Sequence, residues 1–273
     1  MNDVLFAFLL ILVAGLATGA GGLVVFFSKT TNTKFLSVCL SFSAGVMLYV
    51  AFAEIFLEAK EALEYGHGEE MGLLFATVAF FAGVLLMVVI DKVIPHNDAI
   101  TEMLETKQGG AQLSLGEKKE LKRTGVMSAT ALAIHNFPEG FITFIALMYD
   151  PVLGVAIAIA IMLHNMPEGI ATAAPIYYAT GSKTKAFLIS AGTGLVQLLG
   201  AFVAWLLLQH IFDDIEAVFG IAFAAVAGIM VFVAIHQLVP AAQKYGKHHL
   251  VMKWLFAGMA VMAASLIILE FVL

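Results

Sequence analysis

The sequence predicts an all-α, polytopic membrane protein with eight transmembrane helices. Of its 273 residues, 61% are hydrophobic and 12% are charged, whereas soluble domains have about 45–50% apolar and about 25% charged residues. The mean hydropathy is +0.97. Apolar stretches long enough to cross a bilayer, which takes about 20 residues, recur along the whole chain. They lie at roughly 4–27, 35–58, 71–94, 124–148, 152–178, 186–208, 215–238 and 250–272.

The first apolar stretch is expected to be a retained helix rather than a cleaved signal peptide. It follows Met1-Asn2-Asp3, which has no basic residue, and it continues through Phe27. A cleavable signal has a basic start and a shorter apolar region. The single cysteine, Cys39, excludes an intramolecular disulfide. We therefore expect one transmembrane domain over residues 1–273.

Basic residues are sorted between the connections that join the spans. Of the 14 lysines and arginines, only Lys60 lies on an even-numbered connection, where the carboxylates gather. Because cytoplasmic loops carry an excess of Lys and Arg, the odd connections are expected in the cytoplasm and both termini outside it. The expected location is the plasma (inner) membrane. The third connection, about 95–123, is then a cytoplasmic loop, and "LGEKKELKR" (115–123) is expected to start a helix that leads into span four.

An internal repeat relates the two ends of the chain. "AGVMLYVAFAEI" (44–55) in span two matches "AGIMVFVAIHQL" (227–238) in span seven, and "FFAG" (80–83) echoes "LFAG" (255–258). The paired spans cross the membrane in opposite directions. The pattern predicts inverted repeats of spans 1–3 and 6–8 around a central 4–5 pair, an arrangement common in transporters. Chance similarity among small apolar residues is the alternative.

Two copies of one polar hexapeptide lie within apolar helices. "HNFPEG" occupies 135–140 and "HNMPEG" occupies 164–169. The first histidine lies 15 residues before Asp150 and the second 14 residues after it. A tight turn at Asp150-Pro151, with about 1.5 Å of rise per residue, would bring both copies to one depth. That depth is about 20 Å below the turn, within an apolar slab of about 30 Å.

The spacing inside each hexapeptide favours a metal site. The histidine and glutamate of each copy are four residues apart and share a helix face, and the asparagine lies on the adjoining face. Polar groups at this depth are expensive and usually face a bundle interior or a pathway. Imidazoles and carboxylates together suit zinc, iron(II), manganese or cobalt. A satisfied polar cluster that only locks two helices together is the alternative. The predicted ligands are His135, Asn136, Glu139, His164, Asn165 and Glu168.

Each hexapeptide also contains a proline. Pro138 and Pro167 remove a backbone N–H and free the carbonyls of Ile134 and Leu163. We therefore expect both helices to kink at the site.

At these residues the chain resembles the ZIP family of divalent metal transporters, especially its bacterial zinc-uptake branch. The two hexapeptides match the family's signatures in spans four and five. "APIYYATGSK" (174–183), "AGIM" (227–230) and "LVP" (238–240) resemble that branch as well. The resemblance covers essentially the whole chain. It implies that spans 1, 4, 5 and 6 move as a unit against spans 2, 3, 7 and 8.

The resemblance also implies a binuclear site at the membrane midplane. One metal position would take both histidines and both glutamates of the hexapeptides. The neighbouring position would take Asn136, Asn165 and the shared glutamates. The family usually adds a glutamate from span six, where this chain has Gln197. An amide oxygen can still coordinate a metal, but one negative charge is missing. In span seven, His236 and Gln237 stand where acidic residues are common.

The expected function is uptake of divalent transition-metal cations through this midplane site. Zinc is the leading substrate, and Fe²⁺, Mn²⁺, Co²⁺ and Cd²⁺ tolerate overlapping ligands. No catalytic cofactor and no nucleic-acid partner are expected; the partners are the metal ions and the lipid bilayer, and a homodimer is left open. The alternatives are a membrane-embedded metalloenzyme and a metal-binding sensor. Di-iron enzymes use Glu-x-x-His, whereas this chain has the order His-x-x-x-Glu.

Overall fold

The computed structural model describes residues 3–27, 33–93, 115–210 and 215–272, with only the backbone described at some helical positions, including His135. Within these ranges the chain is helical and has no strand. The helices form eight spans in chain order. Six of them are single α-helices, at Asp3–Phe27 (span one), Glu69–Val93 (three), Leu115–Tyr149 (four), Pro151–Thr180 (five), Lys183–His210 (six) and His248–Val272 (eight).

Spans two and seven are composite. Span two consists of α-helix Thr33–Val50, π-helix Ala51–Ile55 and α-helix Phe56–His67. Span seven consists of α-helix Ile215–Phe232, π-helix Val233–Leu238 and α-helix Val239–Tyr245. Among the described residues, every span except the fourth is long and apolar enough to cross a membrane. The predicted all-α polytopic fold is confirmed.

Span four is longer than the sequence indicated. Its helix begins at Leu115 and continues without a break to Tyr149, so the helix predicted in "LGEKKELKR" is confirmed and joins span four directly. The expected loop at about 95–123 is correspondingly shorter. The remainder of the predicted loop, from 95 to 114, lies outside the described residues.

The turn between spans four and five is tight, as predicted. Span four ends at Tyr149, and span five begins at Pro151. The Asp150 carboxylate accepts hydrogen bonds from the backbone N–H groups of Val152 (2.8 Å) and Leu153 (3.4 Å). Proline suits the first position of a helix because it has no N–H to leave unpaired. The two spans therefore run antiparallel from one capped corner.

The spans pack in two sets. Spans one, four, five and six contact one another, span two packs along span eight, and span three packs along span seven. Span two also contacts span five and links the two sets. Buried phenylalanines fill the volume near the turn between spans four and five. These are Phe144, Phe219 and Phe223.

Glycine contacts test the predicted inverted repeat. A Cβ built on Gly45 in span two would collide with the backbone oxygen of Leu255 in span eight. A Cβ on Gly228, the repeat partner of Gly45, would collide with the backbone oxygen of Phe80 in span three. Phe80 and Leu255 are themselves paired by the repeat. The same contact is therefore made twice, which confirms the repeat.

The shorter sequence match, between "FFAG" in span three and "LFAG" in span eight, also gives paired backbone contacts. Gly83 lies against the backbone oxygen of Ala225, and Gly258 lies against that of Phe42. The repeat of spans two and seven pairs Phe42 with Ala225. Each contact has its counterpart, as a pseudo-twofold axis requires.

Spans one, four, five and six, here called the inner set, obey the same pseudo-twofold relation. Gly15 in span one and Gly194 in span six contact each other's backbone oxygens, so these two helices approach closely. Gly192 faces outward, and a Cβ there would meet nothing within 4 Å. The other matched contacts join Gly21 to Met166, Gly200 to Phe137, Gly169 to Thr18 and Gly140 to Gln197.

Both repeats contain a π-helix at the matching place. The segments Ala51–Ile55 and Val233–Leu238 fall at the ends of the two matched dodecapeptides. π-Helical turns are rare and are frequent at functional sites. The sequence comparison found the repeat but not this feature, because hydrophobic spacing does not distinguish one widened turn.

The glycine contacts predict a graded response to alanine. Gly228→Ala and Gly45→Ala place a methyl group against a backbone oxygen, which cannot move aside as a side chain can. Each should destabilise the protein by about 1–3 kcal/mol, as overpacking does. The control Gly192→Ala should leave stability unchanged or raise it by up to about 1 kcal/mol. Unfolding in detergent measures the difference, and equal stability of all three variants would refute this packing.

Candidate metal site

The two hexapeptides adjoin at the centre of the inner set of spans. Asn136, Glu139, His164, Asn165 and Glu168 are all fully buried. The antiparallel hairpin of spans four and five places them side by side, as the sequence predicted. Gly140 and Gly169, the last residues of the two hexapeptides, lie against the backbones of spans six and one. Close helix packing therefore fixes the position of each motif.

A buried pair of side chains joins the two motifs. His164 Nε2 lies 2.8 Å from Glu139 Oε1, and His164 Nδ1 lies 3.1 Å from the backbone oxygen of Ala160. The Nδ1–H donates to Ala160, which orients the ring. An unprotonated Nε2 and a carboxylate oxygen are both acceptors, so a distance of 2.8 Å requires a proton between them. Histidine ligands of metals are commonly oriented by the same kind of bond to a backbone oxygen.

Gln197 of span six contacts the other oxygen of this carboxylate. Its Nε2 donates to Glu139 Oε2 at 2.9 Å and lies 3.5 Å from Asn136 Oδ1. Gln197 is buried. The amide thus turns its nitrogen, and not its oxygen, toward the glutamate. The predicted residue from span six is at the site, where it acts as a hydrogen-bond donor.

The two asparagines are anchored in matching ways. Asn136 donates to the backbone oxygen of Thr193 in span six at 3.0 Å. Asn165 donates to the backbone oxygen of Ala14 in span one at 2.9 Å. The pseudo-twofold relation exchanges Thr193 with Ala14. Both amide nitrogens are therefore occupied, and Asn136 Oδ1 lies 3.5 Å from Gln197 Nε2.

Glu168 and His135 complete the predicted set. Glu168 is fully buried one turn after His164, and its backbone oxygen accepts from Thr172 at 3.0 Å. The side chain of His135 lies outside the described part of the structure. Among the described side chains, no group of three or more His, Cys, Asp or Glu is gathered so that it could hold a metal. The four-ligand position that includes His135 stays a prediction.

Neither proline interrupts its helix. The backbone is α-helical through Pro138 in span four and through Pro167 in span five. The predicted kinks stay a prediction.

Span two also contacts the site. Ser43 of span two donates to the backbone oxygen of His164 at 3.4 Å.

The sequence did not predict that span one contacts the second hexapeptide at Thr18. Thr18 is buried, and its backbone oxygen lies against Gly169 of the second hexapeptide. A weak signal is present: "GLATGAG" (15–21) and "GLVQLLG" (194–200) share a glycine-leucine pair and a glycine five residues after the leucine. Aligning the two places Thr18 opposite Gln197.

A second polar cluster lies at the end of span three. His236 Nε2 is 3.1 Å from Asp91 Oδ2, and Gln237 Nε2 donates to Asp91 Oδ1 at 3.4 Å. The sequence had marked His236 and Gln237 as departures from an acidic pattern. Asp91 supplies a carboxylate to them from another span. The histidine is about half exposed, with 53% of its side chain accessible.

Comparison with known proteins identifies the family of this chain. The model of the "ZIP Zinc transporter" family matches residues 101–266. A "Zinc transporter ZupT" from Chlorobium chlorochromatii (strain CaD3) is 49% identical over 267 residues, which cover 98% of each chain. This chain belongs to the ZIP zinc transporter family. Family membership and the apolar helices make it an integral, multi-pass membrane protein and not an enzyme.

Other relatives agree over the same length. A "Zinc transporter ZupT" from Nitratidesulfovibrio vulgaris (Hildenborough strain) is 50% identical over 273 residues, 98% of each chain. One from Clostridium perfringens (strain 13 / Type A) is 48% identical over 279 aligned positions, 98% of this chain and 97% of the relative. The resemblance drawn from the hexapeptides is confirmed at the level of the family.

The buried pair predicts that the loss of stability on substituting Glu139 depends on the side chain that replaces it. Glu139→Leu leaves donors on His164 and Gln197 without their acceptor, and breaking a buried pair from one side costs about 3–5 kcal/mol. Glu139→Gln keeps the shape and should cost less. The control Glu64→Leu removes a partly exposed pair with Lys60, worth about 0.3–0.5 kcal/mol. Unfolding in detergent with a chelator measures all three. Equal losses in Glu139→Leu and Glu64→Leu would contradict the buried pair.

Proposed function

We propose that this chain carries divalent transition-metal cations across the membrane into the cytoplasm, with zinc as its leading substrate. The observation that carries the proposal is the buried pair of His164 and Glu139, flanked by the amides of Asn136 and Gln197. The names of its relatives supply zinc as the substrate to test first. Fe²⁺, Mn²⁺, Co²⁺ and Cd²⁺ would compete, because imidazole and carboxylate ligands accept them all.

The cation would replace the proton that the buried pair shares. Metal ligands must be deprotonated, so binding at His164 Nε2 and Glu139 Oε1 expels that proton. On departure of the metal, the proton returns and satisfies both groups again. Zinc movement through the site is therefore coupled to proton exchange, and acidic solution opposes binding.

The remaining ligands follow from the two hexapeptides. His135, Glu139, His164 and Glu168 would form the first metal position. Asn136 and Asn165 would face the second position with the shared glutamates. Gln197 completes that position with a neutral amide. A site with one carboxylate fewer holds a divalent cation less strongly, so the second position binds more weakly than the first.

Zinc uptake into proteoliposomes tests the proposal. Glu139→Gln and Glu168→Gln keep the size of each side chain and remove its charge. Each should lower zinc-65 uptake by at least about 100-fold, more than the roughly 10–100-fold effect of mutating groups that only support the ligands. The matched control Glu64→Gln changes a glutamate outside the site and should leave uptake unchanged.

Three results would contradict the proposal in different ways. Uptake by both site variants at the wild-type rate would exclude the site. Tight zinc binding by the wild type without any flux would indicate the alternative, a metal sensor. Transport of another divalent cation without transport of zinc would show that zinc is not the substrate.

We infer that the chain forms a single transmembrane domain in the plasma (inner) membrane, with both termini outside the cytoplasm. The sorting of basic residues to odd connections supports this orientation. In a Cys39→Ala background, Gly66→Cys tests the second connection and Lys247→Cys the seventh; both positions are exposed. An impermeant maleimide should label intact cells only at position 66 and should label position 247 after lysis. The reverse pattern would invert the topology.

A further inference from the structure

Spans two, seven and eight form an apolar groove of about 510 Å³ on the surface of the bundle. Phe52 and Ile235 in this groove are exposed at 51% and 57%. Phe52 follows Ser43 by about two and a half helical turns, so it points away from the metal site that Ser43 contacts. The groove therefore opens toward the surrounding lipid. Its lining residues are Leu48, Tyr49, Phe52, Ala53, Ile235 and Met259.

The inverted repeat places this groove near the centre of the membrane. Phe52 and Ile235 occupy the same position of the two matched dodecapeptides, so the pseudo-twofold axis exchanges them. In inverted repeats that axis lies in the plane of the membrane. Because both side chains line one groove, the groove lies on the axis and so near the midplane. The two residues also belong to the two π-helices, which the groove therefore adjoins.

Span eight connects the groove to two basic side chains. Lys253 and Lys247 precede Met259 by six and twelve residues, which is about 9 Å and about 18 Å along a helix. The hydrocarbon core ends about 15 Å from the midplane, so both ammonium groups reach the headgroup layer. Phe256, an exposed residue, lies between Lys253 and Met259 and joins them by an apolar surface.

The charges of these two lysines are not neutralised within the described part of the chain. Both side chains are exposed, and neither has an ion-pair partner among the described residues. Basic residues at the edge of the bilayer attract anionic lipid headgroups. The lysines and the groove thus present a positive end and an apolar end, separated by about the depth of one leaflet.

We propose that this surface binds an anionic phospholipid, with its phosphate at Lys247 and Lys253 and the end of one acyl chain in the groove. The chain would contact spans two, seven and eight together and fill the space beside the two π-helices. The lipid site is separate from the metal site and does not depend on the proposed transport function. The proposed orientation of the chain places the lipid in the cytoplasmic leaflet.

Native mass spectrometry of the purified full-length protein in detergent tests the proposal, because it counts bound lipids and protein copies together. Dioleoyl phosphatidylglycerol is compared with dioleoyl phosphatidylcholine, which has the same chains and no net charge. The wild type should bind one phosphatidylglycerol about 25-fold more tightly, since each lysine in the headgroup layer contributes about fivefold. Lys247→Gln with Lys253→Gln should abolish this preference. The matched control, Lys183→Gln with Lys185→Gln at the start of span six, should keep it.

A second pair of variants tests the groove. Ala53→Phe places a ring in the groove and should weaken binding of both dioleoyl lipids about tenfold, as loss of about two buried methylene groups does. Dihexanoyl phosphatidylglycerol has chains too short to reach the groove. It should bind this variant and the wild type equally, which also shows that the variant is folded. The control Ala82→Phe adds the same ring on an exposed face of span three and should leave every affinity unchanged.

Four results would overturn the proposal. The first is equal affinity of the wild type for the two dioleoyl lipids. The second is an unchanged preference in the variant that lacks both lysines of span eight. The third is wild-type binding of the dioleoyl lipids by Ala53→Phe. The fourth is a dimer that retains no phosphatidylglycerol, which would show that a second copy of the chain covers the groove.

Discussion

The carboxylate of Glu139 is fully buried in a bundle of apolar helices, where an isolated charge would be too costly to keep. Its two oxygens are held by different spans, one by His164 of span five and the other by Gln197 of span six. The backbone oxygen of Ala160 then orients the histidine ring. Removing the carboxylate would leave polar groups on two other helices unsatisfied. Spans four, five and six must therefore pack so that Glu139, His164 and Gln197 lie within hydrogen-bonding distance of one another.

Backbone packing at glycines meets that requirement. Gly140 lets span four approach span six at Gln197, and Gly169 lets span five approach span one at Thr18. Because the same contacts are made twice about a pseudo-twofold axis, equivalent backbone positions hold the two hexapeptides in the interior.

The sequence predicted the features that depend on local pattern. The lengths of the apolar stretches predicted eight spans, and the matched dodecapeptides predicted the inverted repeat. The two hexapeptides predicted the buried polar residues on spans four and five. It did not predict the contact of Thr18 with Gly169, because only three of seven residues match between "GLATGAG" and "GLVQLLG". The contact of Asp91 with His236 joins residues 145 positions apart. Neither hydrophobic spacing nor motif spacing encodes such a contact, which depends on how whole helices pack.

The π-helices and the orientation of Gln197 were also beyond the sequence. A widened turn changes hydrogen bonds along the backbone but not the hydrophobic pattern that a sequence displays. The sequence allowed Gln197 to face the site with its oxygen, as a metal ligand would. The structure turns its nitrogen toward Glu139, because the carboxylate can only accept hydrogen bonds. A metal that replaced this bond would require the amide to rotate.

Anomalous diffraction from crystals grown with zinc tests the central claim most directly, because it gives the identity and number of bound ions at once. We predict a zinc peak beside His164 Nε2 and Glu139, with those atoms at about 2.0–2.2 Å from the ion. The bond between His164 and Glu139 would be broken by the ion. Zinc found only at Asp91 and His236, or at no buried position, would contradict the account.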